Sequence, residues 1–385
     1  MNILHIYKDY YPVLGGIENH VRLLAESQAA QGHVVTVLAT NTGIRSTKET
    51  LNGVHVARVG RLVNVQSAPL SAALPSAVRR LSAGADIVHV HAPYPPGEAA
   101  NLWFGRGHRT VITWHSDIVR QKTLLRVYAP TLRRVLQHAD RILPTSEAYA
   151  RTSPWLKPHL DKCTPVPLGV DTTRFTPAAI LGPRAAELRA QFLFNAPVTP
   201  QATILLSVGR LRYYKGLDDL IRAMPDLPDT VAVIAGSGPM GDKWRALARL
   251  LHVADRIAFV GDVSDADLPS YYQAADIYVL PACARAEAFG IAVAEAMACG
   301  LPVVCTEVGT ATSWVNQHNI TGLVVPSRKP DLLVEAIRQL QSNLLTRRLM
   351  GNAARQRVLD EFTLDRMVQR VMEVYGEVMA SPLNG

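Results

Sequence analysis

The chain has 385 residues, of which 48% are hydrophobic and 19% are charged, and its formal net charge at pH 7 is +8. This composition excludes a disordered or fibrous protein, and the length predicts two domains rather than one core. No run approaches the ~20 consecutive apolar residues that a membrane-spanning helix needs. The four cysteines lack metal-binding spacing and charge interrupts the first nine residues, so we expect a cytoplasmic protein without a signal peptide.

Predicted strands alternate with helical patterns along the chain, which is typical of an α/β protein with parallel sheets and helices on both faces. In the first half the predicted strands are residues 2–7, 34–39, 87–91, 110–114 and 141–144, with a helical pattern over residues 18–31. In the second half they are residues 203–208, 231–235, 257–260, 277–280, 303–306 and 323–325. Proline-rich residues 163–200 interrupt this alternation, residues 167–171 within them predict the hinge that enters a second domain, and a final amphipathic helix is predicted after Phe362.

One segment between Ile118 and Leu136 is basic and contains no acidic residue; its cations are Arg120, Lys122, Arg126, Arg133 and Arg134. Apolar residues lie among these cations, so the segment predicts either an amphipathic surface for an anionic membrane or a solvated helix face with an ordinary core side. Nucleic acid is not favoured as a partner, because no recognisable binding module and no set of interleaved aromatic residues is present.

Glycines and cations occupy the loops where predicted strands end. In open α/β sheets, ligands bind beyond the carboxyl ends of the strands. Gly15 and Gly16 follow the first strand and open a helix, which predicts either a phosphate-binding turn or a turn that needs positive φ. Arg210 and Lys215 follow residues 203–208, where they would neutralise a bound anion or form an exposed surface pair.

Two glutamates bracket the start of another predicted helix. Glu287 precedes this helix, and Phe289, Gly290 and Ile291 would offer backbone N–H groups to a phosphate. Glu295 lies among apolar neighbours, where a carboxylate costs several kcal/mol unless it is hydrogen-bonded. Since the local sequence shows no protein partner for Glu295, we expect a ligand rich in hydroxyl groups.

Further polar residues follow other predicted strands. His115 and Gly236 lie at such strand ends, and Asp117 would cap the next helix or bind a ligand. The pair His89 and His91 suggests a metal, but the sequence shows no third ligand. The Asp265-Ala-Asp267 string has the form of a metal-binding motif, but helix capping is the favoured interpretation.

Four motifs in this order resemble the retaining glycosyltransferases of family 4. They are residues 12–16, residues 114–117, the loop with Arg210 and Lys215, and Glu287 followed by seven residues and Glu295. Residues 167–171, 236–239 and 295–303 resemble the family as well, so the resemblance spans almost the whole chain. It implies the GT-B fold, in which two Rossmann-like domains face each other across a cleft. The domains would be an acceptor-binding domain at 1–170 and a nucleotide-sugar domain at 171–361, with a terminal helix at 362–385 crossing back to the first.

The resemblance also implies a role for each site residue. Arg210 and Lys215 would clamp the donor diphosphate, Glu295 would bind the ribose, and Gly236 would lie near the nucleotide. Glu287 would face the transferred sugar or the reacting centre, while His115 and Asp117 would contact the transferred sugar or the acceptor. No metal ion and no cofactor would be needed, because the two cations would stabilise the departing phosphate in a front-face reaction that retains the anomeric configuration.

The implied partners are a nucleotide diphosphate sugar and a glycan or polyprenyl- or lipid-linked acceptor, with a cytoplasmic or inner-membrane-face location. Both UDP- and GDP-sugars stay open, and GDP-mannose is favoured by its frequency in the family only. Two alternatives are a sugar-nucleotide epimerase, which shares the architecture, and a non-catalytic sugar-nucleotide-binding protein. The Arg210/Lys215 and Glu287/Glu295 motifs argue against the first, and the presence of all expected motif residues argues against the second.

Overall fold

A computed structural model describes residues 1–13, 15–65, 68–118, 122–178 and 182–382 of the chain. The chain divides into two compact units. Unit 1 comprises Met1–Gly169 and Leu364–Gly385, and unit 2 comprises Val170–Thr363. The last helix of the chain therefore belongs to the unit that the N-terminal residues build.

Unit 1 contains nine strands and six helices among the described residues. Its strands are β1 (Asn2–Ile6), β2 (Val34–Thr40), β3 (Thr47–Leu51), β4 (Val54–Val59), β5 (Val63–Val65), β6 (Ala68–Leu70), β7 (Ile87–Ala92), β8 (Arg109–Trp114) and β9 (Arg141–Pro144). Its α-helices are α1 (Gly16–Ala30), α2 (Leu74–Ser82), α3 (Pro95–Phe104), α4 (Lys122–His138), α5 (Glu147–Thr152) and the C-terminal α14 (Leu364–Ala380).

The main sheet of unit 1 has the strand order β3-β4-β2-β1-β7-β8-β9. All neighbouring strands in it are parallel except the edge pair β3 and β4. The strand order reverses between β1 and β7, and such a reversal is where an open α/β sheet binds its ligands. Every residue of β7 is buried, as expected for a parallel strand that is covered on both faces.

Unit 2 contains six strands and eight helices among the described residues. Its strands are β10 (Thr203–Val208), β11 (Thr230–Ala235), β12 (Ile257–Gly261), β13 (Ile277–Leu280), β14 (Val303–Glu307) and β15 (Gly322–Pro326). Its α-helices are α6 (Pro183–Phe194), α7 (Leu217–Ala223), α8 (Gly241–Leu250), α9 (Leu268–Ala274), α10 (Ile291–Ala298), α11 (Thr312–Val315), α12 (Pro330–Ser342) and α13 (Leu344–Glu361).

The sheet of unit 2 has the order β12-β11-β10-β13-β14-β15, and its neighbouring strands are parallel. Counted from the first strand of the unit, this is the 3-2-1-4-5-6 order of dinucleotide-binding domains, with its reversal between β10 and β13. A buried apolar cluster that includes Leu205, Trp244 and Ile337 fixes helices to this sheet. The reversal point is thus held by a rigid core.

Helix α14 packs on α1 and β8 within unit 1. Its buried stripe of Val371, Val374, Tyr375 and Val378 has the spacing of an amphipathic helix. Among the helices of the described residues, none combines the length and the apolar character that crossing a bilayer requires.

Candidate active site

Two loops meet at the point in unit 2 where the strand order reverses. Residues 209–216 follow β10, and residues 281–290 follow β13, its neighbour in the sheet. The N–H group of Cys283 donates to the carbonyl oxygen of Tyr214 at 2.8 Å, so the two loops are joined directly. A Cβ atom at Gly216 would overlap the carbonyl oxygen of Pro281, so only glycine permits this close approach. The fold therefore brings together motifs that are far apart in the sequence.

Lys215 and Glu287 form an ion pair at this junction. The Nζ atom of Lys215 lies 2.7 Å from Oε2 of Glu287, and their side chains are only 12% and 9% exposed. Burial acts to lower the pKa of Lys215, but the Glu287 carboxylate together with the hydroxyl groups of Tyr214 and Tyr278 outweighs burial, and the net effect is a raised pKa. The hydroxyl group of Thr310 donates to the Glu287 carbonyl oxygen at 2.7 Å, which fixes the Glu287 backbone. The site therefore holds a fixed, charged ammonium group.

The loops after β10 and β11 pack through their glycines. Gly209 has φ of 141°, and a Cβ there would lie 3.0 Å from Cε of Lys215, so glycine leaves room for the lysine side chain. Gly236 has φ of 126°, and a Cβ there would overlap the Gly209 carbonyl oxygen. Arg210 is exposed and follows Gly209 in the loop after β10. The predicted residues Arg210, Lys215 and Gly236 therefore share one edge of the sheet.

Glu295 is buried in α10 and has a protein partner that the local sequence did not reveal. The Tyr272 hydroxyl donates to Oε2 of Glu295 at 2.7 Å. The expectation that Glu295 lacks a protein partner is therefore wrong, because α9 supplies one from 23 residues earlier. Burial raises the pKa of Glu295 to about 7, although the Tyr272 hydroxyl and the charge of Arg174 each act to lower it. Near neutral pH this carboxyl group can accept hydrogen bonds or hold a proton.

The start of α10 lies at the same edge as the ion pair. Gly290 caps the helix in the left-handed conformation with φ of 78°, and Ile291 is the first helical residue. Phe289 is buried and its ring packs against Phe362. The first N–H groups of a helix have no partner within the helix, so α10 offers donors and a favourable dipole to an anion.

The structure does not support a positive-φ turn at Gly15 and Gly16, which was one of the two predictions for these glycines. Gly15 has φ of 169°, which is extended backbone, and neither Gly15 nor Gly16 is among the described glycines whose φ lies in the left-handed region. A turn that requires left-handed backbone is therefore not the reason for these glycines. Gly16 is exposed and begins α1, whose N-terminal N–H groups are suited to a phosphate.

His115 follows β8 and is buried with one ring nitrogen available. Its Nε2 atom lies 3.1 Å from Nδ1 of His91, while Nδ1 of His115 has no hydrogen-bond partner among the described residues. Burial lowers the pKa of His115, and the neighbouring His20 lowers it further. His115 therefore offers an uncharged imidazole whose free nitrogen can bind a ligand.

The histidines of β7 belong to a larger cluster than the sequence suggested. Two groups of three imidazoles, His5–His89–His91 and His20–His91–His115, have ring nitrogens within 4.8 Å of one another. The expectation that His89 and His91 lack a third ligand is therefore wrong, because β1, α1 and β8 contribute one histidine each. The cluster has the donor atoms of a zinc site, but hydrogen bonds already use several of its nitrogens.

Two side chains outside α4 hold the carboxylate of Asp117. Helix α4 begins at Lys122, and Oδ1 of Asp117 accepts hydrogen bonds from Nε1 of Trp114 at 3.1 Å and from the Ser153 hydroxyl at 2.6 Å. The carboxylate thus holds the residue next to His115. The contact of Asp117 to an acceptor stays a prediction.

The Asp265-Ala-Asp267 string also differs from its expected role. Asp267 occupies the N-cap position of α9, but its side chain makes no capping hydrogen bond. Instead, its carboxylate accepts a hydrogen bond from Ser264 and lies 3.8 Å from Arg184, while Asp265 lies 3.8 Å from Arg174. Among the described residues, neither aspartate belongs to a group of potential metal ligands.

Helix α4 carries most of the basic segment and has an ordinary core side. Leu132 and Val135 are buried, and Tyr128 donates a hydrogen bond to the buried Glu98. Val127 on this helix is 81% exposed, and three of the cations are exposed as well. These cations are Arg126, Arg133 and Arg134. Arg120 and the side chain of Lys122 lie outside the described residues. Most of the apolar side of this segment is therefore used by the core.

Two family descriptions match the chain. "Glycosyltransferase Family 4" matches residues 14–174, and "Glycosyl transferases group 1" matches residues 191–357. The chain is 30% identical to the O-antigen chain mannosyltransferase C of Escherichia coli, over 99% of this chain and 100% of that protein. It is 33% identical to D-rhamnosyltransferase WbpZ of Pseudomonas aeruginosa, over 94% of this chain and 92% of that protein.

The fold is also similar to that of a solved structure. Sucrose-phosphate synthase from Thermosynechococcus elongatus superposes with a TM-score of 0.80 at 23% identity, covering 99% of this chain and 100% of that one. The predicted α/β class with two Rossmann-like domains is confirmed.

Proposed function

This chain belongs to glycosyltransferase family 4, and from its site geometry we propose that it transfers a hexose from a nucleotide diphosphate sugar to an acceptor hydroxyl. Family membership makes the chain a glycosyltransferase, which sets aside the epimerase and the non-catalytic alternatives. The observation that carries the proposal is the buried Lys215–Glu287 pair at the strand-order reversal of a 3-2-1-4-5-6 sheet. The acceptor in this proposal is a glycan or a polyprenyl- or lipid-linked sugar.

The donor diphosphate binds to Lys215, Arg210 and the first N–H groups of α10. The ammonium group of Lys215 is held charged before any ligand arrives, so no reorganisation is needed when the phosphate gains charge. Two cations and a helix N-terminus can together take the place of a metal ion in this role. We therefore expect the reaction to proceed in EDTA.

Glu287 acts as a partner of Lys215 and a contact for the transferred sugar rather than as a covalent nucleophile. An ammonium group at 2.7 Å stabilises the carboxylate and so makes it a weaker nucleophile. The reaction then follows a front-face route, in which the departing phosphate oxygen accepts the proton of the acceptor hydroxyl. The new bond forms on the face that the nucleotide leaves, so the anomeric configuration is retained and an α-linkage results.

Glu295 binds the ribose hydroxyls of the donor, with Gly236 near the nucleotide. Tyr272 occupies one hydrogen-bond position on Oε2, and a carboxylate has about four such positions in total. In unit 1, Gly15 and Gly16 contribute N–H groups to a donor phosphate, and His115 contacts the transferred sugar or the acceptor.

The donor class can be identified by thermal shift in the presence of EDTA. UDP, GDP, ADP and their hexose conjugates are each added to the wild type and to Glu295→Ala. GDP-mannose stays the favoured donor, and the name of the mannosyltransferase relative supports the sugar but not the nucleotide. We expect one nucleotide series to stabilise the wild type and to stabilise Glu295→Ala less. Stabilisation that requires a divalent cation, or that is equal in both proteins, would contradict the assigned roles.

A cytoplasmic location at an anionic membrane face is the second part of the proposal, and it rests on Arg126, Arg133 and Arg134 of α4. These cations are exposed next to Val127, so attraction to anionic lipid would be mainly electrostatic. Reversing the three charges should reduce sedimentation with vesicles that contain phosphatidylserine. Reversal of Arg338, Arg348 and Arg370 provides a control with the same change in net charge. Equal sedimentation of the two triple variants would overturn this part.

A further inference from the structure

Five histidines of unit 1 lie buried in one row, and of these only His115 has a role in the proposed transfer. His5 is on β1, His20 is on α1, His89 and His91 are on β7, and His115 follows β8. The rings of His89 and His91 stack at 4.4 Å, and those of His91 and His115 at 5.4 Å. Burying polar imidazoles costs free energy unless their nitrogens are hydrogen-bonded. The hydrogen bonds of this row therefore indicate how each histidine is stabilised.

Four side chains form a continuous hydrogen-bonded chain. Oε1 of Gln28 lies 2.8 Å from Nε2 of His5, and Nδ1 of His5 lies 3.0 Å from Nε2 of His91. Nδ1 of His91 then lies 3.1 Å from Nε2 of His115. Both nitrogens of His5 and His91 are used, whereas Nδ1 of His115 ends the chain without a partner among the described residues.

The imidazoles of this chain are uncharged at neutral pH. Burial lowers the pKa of His5 to about 4, although its hydrogen bond with Gln28 acts to raise it. Burial also lowers the pKa of His91 and of His115, and neighbouring histidines add to the effect. A neutral imidazole has one N–H donor and one acceptor nitrogen. The role of one nitrogen in its hydrogen bond therefore determines the role of the other nitrogen in the bond to the next ring.

Gln28 determines which nitrogen of each histidine donates a hydrogen bond and which accepts one. The Gln28 amide N–H2 group contacts Sδ of Met372 at 3.6 Å, which leaves Oε1 facing His5. A carbonyl oxygen only accepts, so Nε2 of His5 carries the proton and Nδ1 of His5 is an acceptor. His91 must then donate from Nε2 and accept at Nδ1, and His115 must donate from Nε2. The remaining nitrogen, Nδ1 of His115, is left with a bare lone pair.

We propose that Gln28 is a positioning residue that fixes the tautomer of His115 through His5 and His91. The chain keeps Nδ1 of His115 unprotonated, so this atom accepts a hydrogen bond from a hydroxyl group of the sugar or acceptor. The identity of that hydroxyl rests on the proposed function, whereas the tautomer follows from unit 1 alone. Gln28 is three hydrogen bonds away from the atom that it controls.

A zinc ion is the competing use of the same residues. Zinc bound by His20, His91 and His115 would need a lone pair from His91, whose nitrogens are both engaged in the chain. Zinc binding would therefore break one hydrogen bond of the chain, and Gln28 would no longer determine the tautomer of His115. The two uses of the cluster exclude each other, which makes them separable by experiment.

A second hydrogen-bonded branch provides a matched control. Nδ1 of His89 lies 2.6 Å from the Tyr375 hydroxyl, and Nε2 of His89 lies 2.6 Å from the Thr113 hydroxyl. Thr113 is buried as deeply as the chain that ends at His115, but it bonds to a different histidine. Thr113→Val removes a hydrogen bond from the cluster at nearly constant volume and leaves the path from Gln28 intact.

The experiment is ¹⁵N NMR of the full chain with ¹⁵N-labelled histidine, without donor or acceptor, at pH 7.5 and in EDTA. A His115→Asn variant assigns the His115 signals. In the wild type we expect Nε2 protonated and Nδ1 pyridine-like in at least about fivefold excess, as one neutral hydrogen bond would impose. In Gln28→Met the two nitrogen shifts of His115 should converge, whereas in Thr113→Val they should stay as in the wild type.

Three outcomes would overturn the proposal. They are a wild-type His115 protonated at Nδ1, an unchanged His115 tautomer in Gln28→Met, and His115 signals that change when zinc is removed by EDTA. If Gln28→Met does not fold, a wild-type His115 protonated at Nδ1 would still overturn the proposal, because the chain permits only the Nε2–H tautomer. The measurement needs no nucleotide sugar, so its failure is distinct from a failure of the proposed transferase activity.

Discussion

At the scale of single residues, Glu295 shows how one buried carboxyl group links binding to stability. Its pKa of about 7 results from burial, which the Tyr272 hydroxyl and the charge of Arg174 offset only in part. Ribose hydroxyls would supply further donors to the carboxylate. Donor binding should therefore favour the ionised form and release a proton near neutral pH.

The first prediction concerns the stability of Glu295→Gln. The folded protein binds a proton at Glu295 between pH 4.5 and about 7, whereas the unfolded chain does not, so the wild type loses stability as the pH rises through this window. Relative to Glu295→Gln, the unfolding free energy of the wild type should fall by up to ~3 kcal/mol between pH 4.5 and 8. Urea unfolding of both proteins at several pH values measures the difference.

An exposed glutamate in the same unit serves as the control for this prediction. Glu335 is exposed on α12, so Glu335→Gln should follow the wild type at each pH. A difference between wild type and Glu295→Gln that is independent of pH would show that the Glu295 carboxyl group has an ordinary pKa.

At the scale of elements, the strand-end loops of unit 2 depend on glycines that pack against backbone. The Gly236 N–H group donates to the Gly261 carbonyl oxygen at 2.6 Å, and Leu211 donates to the Ser237 carbonyl oxygen at 2.8 Å. These contacts connect the loops after β10, β11 and β12. The position of Arg210 therefore depends on the loop of the neighbouring strand.

The second prediction compares two glycines with positive φ. A Cβ at Gly236 would overlap the Gly209 carbonyl oxygen, whereas a Cβ at Gly261 meets nothing within 4 Å. Gly236→Ala should lower the unfolding free energy by about 3 kcal/mol and weaken nucleotide binding, and Gly261→Ala should cost only about 1 kcal/mol. Denaturant unfolding and nucleotide titration measure both effects. Equal costs would mean that the loop contact is unimportant.

The buried strands of both sheets could be predicted from the sequence, because each is a short apolar run. The predicted bounds of β9, β10 and β13 agree with the structure at both ends. Strand β3 (Thr47–Leu51) was not predicted, since it is an exposed antiparallel edge strand without an apolar pattern. Strand β4 was also not predicted, although it alternates buried and exposed residues at its start.

Side-chain partners could be predicted less well than elements. The need of Glu295 for a hydrogen bond was visible from its apolar neighbours, but Tyr272 reaches it only through tertiary packing of α9. The capping role of Asp267 was wrong, because closeness to a helix in the sequence does not fix the direction of a side chain. The three further histidines near His89 and His91 come from other parts of the chain and have no local signal.

At the scale of the whole molecule, the two units carry opposite dependences on pH. In unit 1, burial lowers the pKa of all five clustered histidines, to about 4 for His5 and about 3 for His20. Unit 2 has only His252 and His318, and both are exposed. Lowering the pH should therefore reduce the unfolding free energy of unit 1, whereas protonation of Glu295 should stabilise unit 2.

The third prediction is that acid unfolds unit 1 before unit 2. Below pH 6.5 the unfolded chain binds protons that the five buried histidines do not, so the free energy of unfolding of unit 1 should fall as the pH falls. The slope is at most roughly 7 kcal/mol per pH unit, since each histidine contributes up to ~1.4 kcal/mol. Hydrogen exchange at pH 7.5 and pH 5 should show lost protection in β1, β7 and β8 first. Earlier loss in β10 and β13 would contradict the prediction.

The central claim is that Lys215 binds the donor diphosphate, and calorimetry of a nucleoside diphosphate against its monophosphate tests it most directly. With the base chosen by the thermal-shift panel, the wild type should bind the diphosphate at least about tenfold more tightly, as a charge-assisted hydrogen bond predicts. Lys215→Met should lower this ratio at least about fivefold, with Arg210 and α10 retaining the rest, while Arg212→Met, which removes a half-buried cation from the same loop, should preserve it. A ratio that is unchanged in Lys215→Met would contradict the account.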